Sequence, residues 1–491
     1  MNTADYLLEA GGDRQPALIV NTVTYTYREV RNASARVAAE LIAAGVRPTD
    51  RVGIFGNNSL FWLAAYLATL KLGAMAVPFA TVLTTEAIRD MQAFMRCKVM
   101  CAEQRVYRRF ADAFAETQPV IFDDVLSGPG EQIWPGGDAI DPSSDAALML
   151  TSGTTARPRA VRITHRNIQA NTDSIIEYLA LTDAERMGVI LPFYYCFGTS
   201  LLHTHLRAGG TLVVSNQFVY PEVTLDLMEA TACTGFAGVP STYQTLLRNS
   251  TFPKRDLTSL RKVQQAGGKL QTVLIQELIA AVKHGEVYVM YGQTEATARL
   301  SYLPPALLGS RLGSIGRGIP QVTLRVIGED GQPVPPGDVG EIYAQGDNIS
   351  PGYLDEPEVN AQKFVDGVLR TGDLATVDDD GFIFVVDRKA DFIKSYGYRV
   401  SSQQIEGCIV EMPDIVAAAV IGEPDLVRGE AIVAFVVLRA GAATTLRDVI
   451  AHCAERLPNY MVPKDAVIID RLPINAHGKV VKNELRKRVI A

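Results

Sequence analysis

The sequence predicts an α/β fold with an α+β portion, and two observations carry this prediction. In the first part of the chain, short apolar strands alternate with segments of helical spacing, which is typical of mostly parallel sheets with helices on their faces. After about residue 310, strands are separated by Gly, Pro and Asp turns, which indicates an antiparallel, β-rich subdomain. We therefore predict a large N-terminal domain, which combines mostly parallel sheets and helices with the β-rich subdomain, and a small α+β C-terminal domain.

The elements of the first part are predicted in chain order from capping residues and apolar periodicity. They are a helix within residues 26–46 that stops at Gly45, a strand at 51–55, a helix from Ser59 to Leu72, a strand at 74–79, a helix after Thr84 and Thr85, a helix capped by Thr164, a strand at 209–214, a helix at 225–230, and a strand at 236–240 followed by a helix that Ser241 caps.

The later elements follow from turn residues and from a compact alternation of strands and helices. Predicted strands lie at 321–327, 341–344, 382–386, 416–421, 431–438 and 466–469, and predicted helices at 403–410, 445–457 and 482–489. The charged stretch at 387–391 follows a predicted strand directly, so we place the domain boundary there. The predicted domains are residues 1–386 and 387–491.

Composition and charge exclude several classes of protein. The chain has 491 residues, which exceeds one hydrophobic core, and a composition typical of soluble globular proteins. A net charge of −7 without a basic cluster argues against a nucleic-acid-binding protein. The N-terminus has no signal-peptide pattern, and the most apolar window, residues 60–70, is too short to span a bilayer.

The cysteines indicate a reducing compartment. There are 6 in the chain, which is few for this length, and Cys97 and Cys101 have no partner pair at zinc-site spacing. We interpret both as structural residues and expect a cytoplasmic protein.

A loop rich in hydrogen-bond donors follows the predicted strand that ends at Leu150. Residues 151–155 read Thr-Ser-Gly-Thr-Thr, and Arg157 and Arg159 follow. Backbone N–H groups, hydroxyls and guanidinium groups of this kind can surround a polyphosphate, and Gly153 permits close approach. The loop does not fit the P-loop pattern, and an ordinary surface loop has the same composition. The loop alone leaves both interpretations open.

Further strings follow in a definite order. They are Tyr-Gly-Gln-Thr-Glu at 291–295, Arg-Thr-Gly-Asp-Leu at 370–374, Asp-Arg-Lys-Ala-Asp-Phe-Ile-Lys-Ser-Tyr-Gly at 387–397, and Pro-Ile-Asn-Ala-His-Gly-Lys at 473–479. With the loop at 151–155, this series resembles the adenylate-forming superfamily of acyl-CoA synthetases, luciferases and peptide-synthetase adenylation domains. The resemblance runs from Leu148 to about Leu485. It implies an AMP-forming acid:CoA ligase that uses ATP, Mg²⁺ and coenzyme A.

The resemblance implies roles for residues around the nucleotide. Thr151, Ser152, Gly153, Thr154 and Thr155 would close over the β- and γ-phosphates of ATP. Gly267, Gly268 and Lys269 would sandwich the adenine ring with Tyr291 and Gly292. Thr294 would donate to the α-phosphate, and Glu295 would hold Mg²⁺, since a carboxylate suits a hard cation. Asp373 would accept the ribose hydroxyls with Arg388 nearby, although a plain turn residue is the alternative.

The resemblance also implies a mobile C-terminal domain. Lys479 would bridge the substrate carboxylate and the α-phosphate during adenylation, although most lysines in such polar loops are simply solvated. Rotation of the domain would then withdraw Lys479 and bring the 387–397 segment to the site. Gly397 would let the pantetheine arm of CoA pass close to the backbone, and Lys394 would lie on the same face.

The acid-binding pocket is predicted to be apolar and aromatic. By resemblance, its lining residues are Phe193, Tyr194, Tyr195, Phe197, Phe236 and Gly238. Relatives that activate amino acids place an aspartate near positions 193–194, and here these residues are aromatic. A buried ammonium would be left unpaired at high cost, so we expect an acyl or aryl acid without an α-amino group.

The phosphate loop departs from the family pattern. Ala156 and Ala160 replace glycines, which would cost about 1–2 kcal/mol wherever positive φ is needed, and Arg159 replaces a more compact lysine. The family pattern usually has Asp or Lys at the pivot of the C-terminal domain, two residues after Arg388, and this chain has Ala390 there. Near Tyr194 and Tyr195, an aromatic residue replaces a histidine that is common in the family.

These departures leave three hypotheses open. The first is a complete acid:CoA ligase. The second is an enzyme that adenylates poorly and mainly transfers a preformed acyl-adenylate to CoA. The third is a stand-alone ligase that loads an acyl carrier protein.

Overall fold

The computed structural model describes residues 1–114, 119–128, 134, 140–151, 159–388, 392–425, 427–475 and 480–489. Its α-helices are α1 (Thr3–Leu8), α2 (Tyr27–Ala43), α3 (Leu60–Lys71), α4 (Thr85–Met95), α5 (Gln104–Arg109), α6 (His165–Leu179), α7 (Cys196–Arg207), α8 (Pro221–Ala230), α9 (Pro240–Arg248), α10 (Thr272–Ala281), α11 (Pro357–Lys363), α12 (Ser402–Val410), α13 (Leu446–Arg456) and α14 (Lys482–Val489). Within these ranges, no helix is long and apolar enough to cross a membrane.

The strands share the short lengths expected of packed sheets. They are β1 (Pro16–Val20), β2 (Val23–Thr26), β3 (Arg51–Phe55), β4 (Met75–Phe79), β5 (Val99–Ala102), β6 (Val120–Phe122), β7 (Asp145–Thr151), β8 (Arg159–Thr164), β9 (Arg186–Val189), β10 (Thr211–Val214), β11 (Gly235–Gly238), β12 (Lys262–Gln265), β13 (Glu286–Tyr291), β14 (Ser301–Leu303), β15 (Arg317–Gly318), β16 (Thr323–Ile327), β17 (Gly340–Gln345), β18 (Phe364–Val365), β19 (Val368–Val377), β20 (Ile383–Arg388), β21 (Ile393–Ser395), β22 (Tyr398–Val400), β23 (Ile415–Asp425), β24 (Gly429–Leu438) and β25 (Asp465–Ile468).

Two large sheets dominate the first part of the chain. One has the order β15-β14-β13-β12-β11-β9-β10-β1-β2, and its run from β13 to β1 is parallel. The other has the order β6-β5-β3-β4-β7-β8 and is parallel except for the β7–β8 hairpin. Helix α3 is buried along nearly its whole length, which explains its uniformly apolar sequence. The core around α3, α6 and α7 takes apolar side chains from both sheets.

The remaining sheets are smaller and mostly antiparallel. Strands β16, β17, β19 and β18 form one with β20 added at β19. Strands β22, β21, β24 and β23 form the other, and β25 joins β24 in parallel. This arrangement confirms the predicted combination of parallel α/β sheets, a β-rich subdomain and an α+β C-terminal unit.

Most predicted caps are confirmed, and two local predictions are wrong. Ser59, Thr84 and Thr164 each accept a hydrogen bond from the first turn of a helix. Ser241 is not a cap, because α9 already begins at Pro240, whose fixed φ and missing N–H suit the first helical position.

The charged segment at 387–391 begins inside a strand instead of directly after one, since β20 continues to Arg388. Within β20, Asp387 pairs with Leu374 in the register of the sheet. The Asp387 carboxylate is fully buried and accepts hydrogen bonds from Ser401 and Ser402, so its charge does not force the strand to end. Residues 389–391, including Ala390, lie outside the described ranges.

Candidate active site

The predicted phosphate loop is anchored by a β-hairpin. Thr151 ends β7, and its hydroxyl lies 3.4 Å from the carbonyl of Arg159 at the start of β8. Ala160 lies within β8 opposite Leu150, is buried, and is absent from the residues with positive φ. Alanine therefore imposes no left-handed strain at position 160. Ser152, Gly153, Thr154, Thr155, Ala156 and Arg157 lie outside the described residues.

A polar cluster surrounds Glu295, the predicted Mg²⁺ ligand. The Tyr353 hydroxyl donates to its Oε1 at 2.6 Å, and Lys363 Nζ lies 3.7 Å from the same oxygen. Arg159 pairs with Glu356 at 2.8 Å and places its guanidinium 5.4 Å from the centre of the Tyr353 ring. Burial, followed by the charge of Glu295, raises the pKa of Tyr353, so its hydroxyl stays protonated. In the described part of the chain both contacts of Glu295 use Oε1, which leaves Oε2 to a cation.

The predicted adenine- and ribose-binding residues line one cavity. Its walls hold Gly267, Gly268, Lys269, Tyr291, Gly292 and Asp373, together with Gln265, Val289, Ile315 and Val385. The Tyr291 hydroxyl donates to Asp373 Oδ2 at 2.6 Å. Gly267 has φ +88°, a conformation that L side chains rarely adopt. The backbone of Arg388 pairs with Asp373 across β19 and β20, so the two positions are adjacent.

The start of α7 connects the acid-binding string to the nucleotide residues. Cys196 Sγ lies 3.3 Å from Thr294 Oγ1. A Cβ built on Gly267 would lie 3.4 Å from the Tyr195 hydroxyl, so this tyrosine reaches the cavity described above. An acid held beside Tyr195 and Cys196 would therefore have its carboxylate next to Thr294.

The structure brings together only part of the predicted acid pocket. Phe193, Tyr194, Tyr195 and Phe197 belong to the core between the two large sheets. Phe236 belongs to a separate core, where its ring meets Tyr243 edge-on at 6.3 Å. It therefore does not share a pocket with the α7 aromatics.

Gly238, the last residue of β11, has a packing role. A Cβ at this position would lie 2.7 Å from Thr242 Cγ2. Replacing Gly238 would therefore disturb the start of α9.

Two polar residues in this region escaped the sequence interpretation. Arg299 follows Glu295 on the same segment and is 1% exposed, with its Cζ 4.5 Å from the centre of the Phe197 ring. Gln264 on β12 is equally buried. Their polarity within apolar surroundings was the available signal, but sequence periodicity does not reveal that a distant helix covers them.

Residues of the C-terminal part face the nucleotide cavity. A second cavity is lined by Gly267, Gly268 and Lys269 on one side and by Gln403, Glu406, Val480 and Lys482 on the other. Lys482 Nζ donates to Ser402 at 2.6 Å and pairs with Glu406 at 2.8 Å. Burial raises the pKa of Glu406, and the charge of Lys482 opposes that shift. The side-chain amide of Gln271 also donates a hydrogen bond to the Gln403 carbonyl, at 3.3 Å.

The two residues predicted on the CoA side lie away from this cavity. Lys394 and Gly397 are exposed, and a Cβ built on Gly397 would have no neighbour within 4 Å. Gly397 has φ +81°. Lys479, the predicted catalytic lysine, lies outside the described ranges, whereas Val480 lines the cavity.

The sequence matches two family patterns. The AMP-binding enzyme family matches residues 9–354, and the AMP-binding enzyme C-terminal domain matches residues 404–479. A feruloyl-CoA synthase from Amycolatopsis sp is 33% identical over 466 residues, which is 94% of each chain. The fatty acid–[acyl-carrier-protein] ligase ScoC from Streptomyces coeruleorubidus is 28% identical and covers 96% of this chain and 93% of its own length.

Solved structures share the fold over nearly the whole chain. The anthranilate CoA ligase AuaEII in complex with anthranoyl-AMP superposes with a TM-score of 0.92 at 24% identity, covering 99% of this chain and 97% of its own. MenE from Bacillus subtilis, an o-succinylbenzoate CoA synthetase solved with ATP and magnesium, gives a TM-score of 0.87 at 28% identity and covers 99% of both chains. The chain belongs to the AMP-binding enzyme family, in the acid:CoA ligase branch of the adenylate-forming superfamily.

Proposed function

We propose that the protein is an ATP-dependent, AMP-forming acid:CoA ligase for an acyl or aryl acid without an α-amino group. The acid carboxylate attacks the α-phosphate of ATP, which gives acyl-adenylate and pyrophosphate. The CoA thiol then attacks the acyl carbon and AMP leaves. One observation carries the proposal: Tyr291 is hydrogen-bonded to Asp373 in the same cavity that Gly267 and Lys269 line.

The cavity suits a nucleoside monophosphate unit. Adenine fits between the backbone of Gly267, Gly268 and Lys269 and the ring of Tyr291, with Gly292 behind it. The ribose hydroxyls fit Asp373, with Arg388 beside it. The loop that binds the β- and γ-phosphates consists of Thr151, Ser152, Gly153, Thr154 and Thr155. Holding these groups in line with the acid supplies most of the rate acceleration expected of such a site.

Two groups act at the reacting phosphorus. Thr294 donates from its hydroxyl to the α-phosphate, and its contact with Cys196 at 3.3 Å supports that position beside the acid. Glu295 would hold Mg²⁺, which would neutralise charge on the phosphates. Its Oε1 accepts a hydrogen bond from Tyr353, and carboxylates that bind metals are typically oriented by such a hydrogen bond.

Lys479 neutralises the charge that grows on the α-phosphate in the transition state. Its neighbour Val480 lines the cavity beside Gly267, which supports this role. We propose that residues 387–491 then rotate against residues 1–386 and bring Lys394 and Gly397 to the site for thiol attack. The exposed Gly397, whose surroundings are open, is consistent with a surface kept clear for a pantetheine arm.

The acid pocket lies beside Tyr194, Tyr195 and Phe197, with Phe193 behind them in the core. Residues 193–197 themselves include no Asp or Glu, and the Arg299 guanidinium lies 4.5 Å from the centre of the Phe197 ring. A substrate ammonium would meet like charge there, which favours an acid without an amino group.

The acceptor is CoA, with an acyl carrier protein as the second candidate because ScoC, by its name, acts on a carrier protein. We place the reaction in the cytoplasm, where ATP and CoA are available. None of the six cysteines forms a disulfide, which is consistent with a reducing compartment.

ATP–pyrophosphate exchange across a panel of carboxylic acids tests the proposal, with a parallel thioester assay that starts from supplied acyl-adenylate. Exchange with simple acyl or aryl acids, followed by acyl-CoA formation, is expected. Thioester formation without exchange would favour the poorly adenylating alternative. Acceptance of a carrier protein but not CoA would favour the loading ligase. Robust activation of free α-amino acids, with none of the other acids, would overturn the proposal.

A further inference from the structure

Arg299 is a buried cation without a compensating anion. It is 1% exposed and ranks among the largest fully buried side chains. Its Nε and one of its terminal nitrogens, Nη2, have no hydrogen-bond partner, and across the described ranges no Asp or Glu forms an ion pair with it. A buried charge normally requires both an opposite charge and satisfied hydrogen bonds, and an unpaired one costs several kcal/mol.

The guanidinium lies at the acid end of the active site. It stands 4.5 Å from the centre of the Phe197 ring, and Phe197 follows Cys196, which contacts Thr294. The Arg299 side chain is also hydrogen-bonded to Tyr178 of α6, whose hydroxyl donates to Met290 Sδ at 3.0 Å. Arg299 thus contacts both α6 and α7, and its contact on α7, Phe197, is one residue after the cysteine that contacts Thr294.

A second buried side chain with unpartnered polar atoms lies on the neighbouring large sheet. Neither the amide nitrogen nor the oxygen of the Gln264 side chain has a partner, although the residue is buried. Gln264 lies opposite Tyr288 in the β12–β13 register, and alternation puts Tyr288 and Met290 on one face. The sheet therefore presents Gln264 on the side where Tyr178, Met290 and Arg299 meet.

We infer that the acid which this enzyme activates is a dicarboxylic acid, and that Arg299 binds the carboxylate that does not react. The planar fork of arginine matches a carboxylate with two parallel N–H donors, and Nε with Nη2 is one such pair. Gln264 Nε2 can donate a further hydrogen bond. This inference rests on the proposed function and specifies its substrate class.

The inference also explains how the pocket distinguishes acids. A monocarboxylic acid of the same size would leave the guanidinium buried and unpaired, and sites built around such groups reject analogues that lack the partner by large factors. An amino acid would place an ammonium near a fixed cation. Arg299 is therefore a specificity-determining residue that does not touch the reacting atoms.

Matched pairs of acids test this inference. Aliphatic and aromatic diacids of increasing length are compared with their own distal mono-amides in ATP–pyrophosphate exchange and acyl-CoA formation. For the best diacid we expect kcat/KM at least about 100-fold above that of its mono-amide. In Arg299→Leu, kcat/KM for the diacid should fall by about 100-fold or more, while kcat/KM for the mono-amide should stay the same or rise. Arg299→Lys should recover part of the loss for the diacid.

A binding readout covers variants that turn over poorly. The diacid with a non-hydrolysable ATP analogue should raise Tm of the wild type more than the mono-amide does, and this difference should vanish in Arg299→Leu. Without ligand, Arg299→Leu should melt no lower than the wild type, because an unpaired buried charge has been removed. Equal kcat/KM for each pair in the wild type, or an unchanged ratio in Arg299→Leu, would overturn the inference and leave Arg299 a structural residue. Activation of monocarboxylic acids alone would overturn it but leave the proposed ligase intact, whereas exchange with no acid of either class would contradict the ligase itself.

Discussion

Tyr353 donates a 2.6 Å hydrogen bond from its hydroxyl to Oε1 of Glu295, and the two residues are separated by 58 positions in the sequence. The guanidinium of Arg159 lies over the same tyrosine ring and forms a salt bridge with Glu356. The arginine that replaces the family lysine thus supports the carboxylate proposed to hold Mg²⁺. A change at the edge of the phosphate loop is coupled to the metal ligand through one aromatic ring.

Tyr353→Phe should weaken the response to magnesium. Loss of the hydroxyl leaves Glu295 free to reorient toward Lys363, and removal of a hydrogen bond that orients a metal ligand typically costs about 10- to 100-fold in metal affinity. Exchange measured across Mg²⁺ concentrations should show a higher half-saturation concentration and a nearly unchanged rate at saturation. Tyr343→Phe in the β-rich subdomain serves as the control. An unaltered Mg²⁺ dependence would mean that Tyr353 only packs.

The phosphate loop should limit adenylation. We expect slow wild-type exchange relative to thioester formation from supplied adenylate, and an increase of about five-fold in Ala156→Gly, since glycine relaxes the backbone by up to about 1 kcal/mol. Ala160→Gly is the matched control: residue 160 lies in β8 without positive φ, so exchange should not improve and stability should fall by about 0.5–1 kcal/mol. Fast wild-type exchange with no gain from Ala156→Gly would favour a conventional complete ligase.

Lys479→Ala should separate the two half-reactions. The lysine's charge is needed only while the α-phosphate carries extra negative charge, so exchange should fall by about 100-fold or more while thioester formation from supplied adenylate persists. Lys464→Ala provides a matched control, because Lys464 is a C-terminal lysine that is 55% exposed and pairs with Asp425. An equal loss in both half-reactions would assign Lys479 a structural role.

Gly397→Leu should give the opposite pattern. The side chain would project into open space, so the fold tolerates its volume, but it would obstruct a thiol that approaches along this backbone. Thioester formation should fall by at least about 10-fold, which corresponds to about 1.4 kcal/mol, while exchange is retained. Gly441→Leu carries the same conformational strain, since Gly441 has φ +79° and equally open surroundings. If both variants behave alike, the effect comes from backbone strain and CoA approaches elsewhere.

The sequence predicted what local patterns determine. Ser59 and Thr164 predicted the starts of α3 and α6 correctly, because capping depends on a few neighbouring residues. The family resemblance implies that Tyr291 and Asp373 lie at one site, and their side chains are hydrogen-bonded. The Arg299–Phe197 contact was not predictable, because it depends on how α7 packs across the large sheet. The separation of Phe236 from the α7 aromatics was not predictable either, because a motif does not specify on which face of β11 each side chain lies.

Buried histidines should make the fold sensitive to mild acid. Burial lowers the pKa of His203 to about 3 and those of His165 and His205 to about 4, all below the ordinary value of 6.5. The unfolded chain therefore binds more protons than the native state once the pH falls below about 6.5. The stability contributed by each neutral histidine is fully present above that pH and declines by about 1.4 kcal/mol per pH unit down to the folded pKa.

His203→Gln should reduce this sensitivity. Glutamine does not titrate and can keep a hydrogen bond to the Tyr66 hydroxyl, which lies 2.8 Å from His203 Nε2. In urea unfolding at pH 7 and pH 5, the variant should lose about 2 kcal/mol less than the wild type on acidification. His284→Gln is the control, because His284 is exposed and pairs with Asp256, so its removal should not reduce the acid sensitivity. If His203→Gln and the wild type lose stability equally, His203 must become protonated in the native state at pH 5, and its burial cannot be the source of the acid sensitivity.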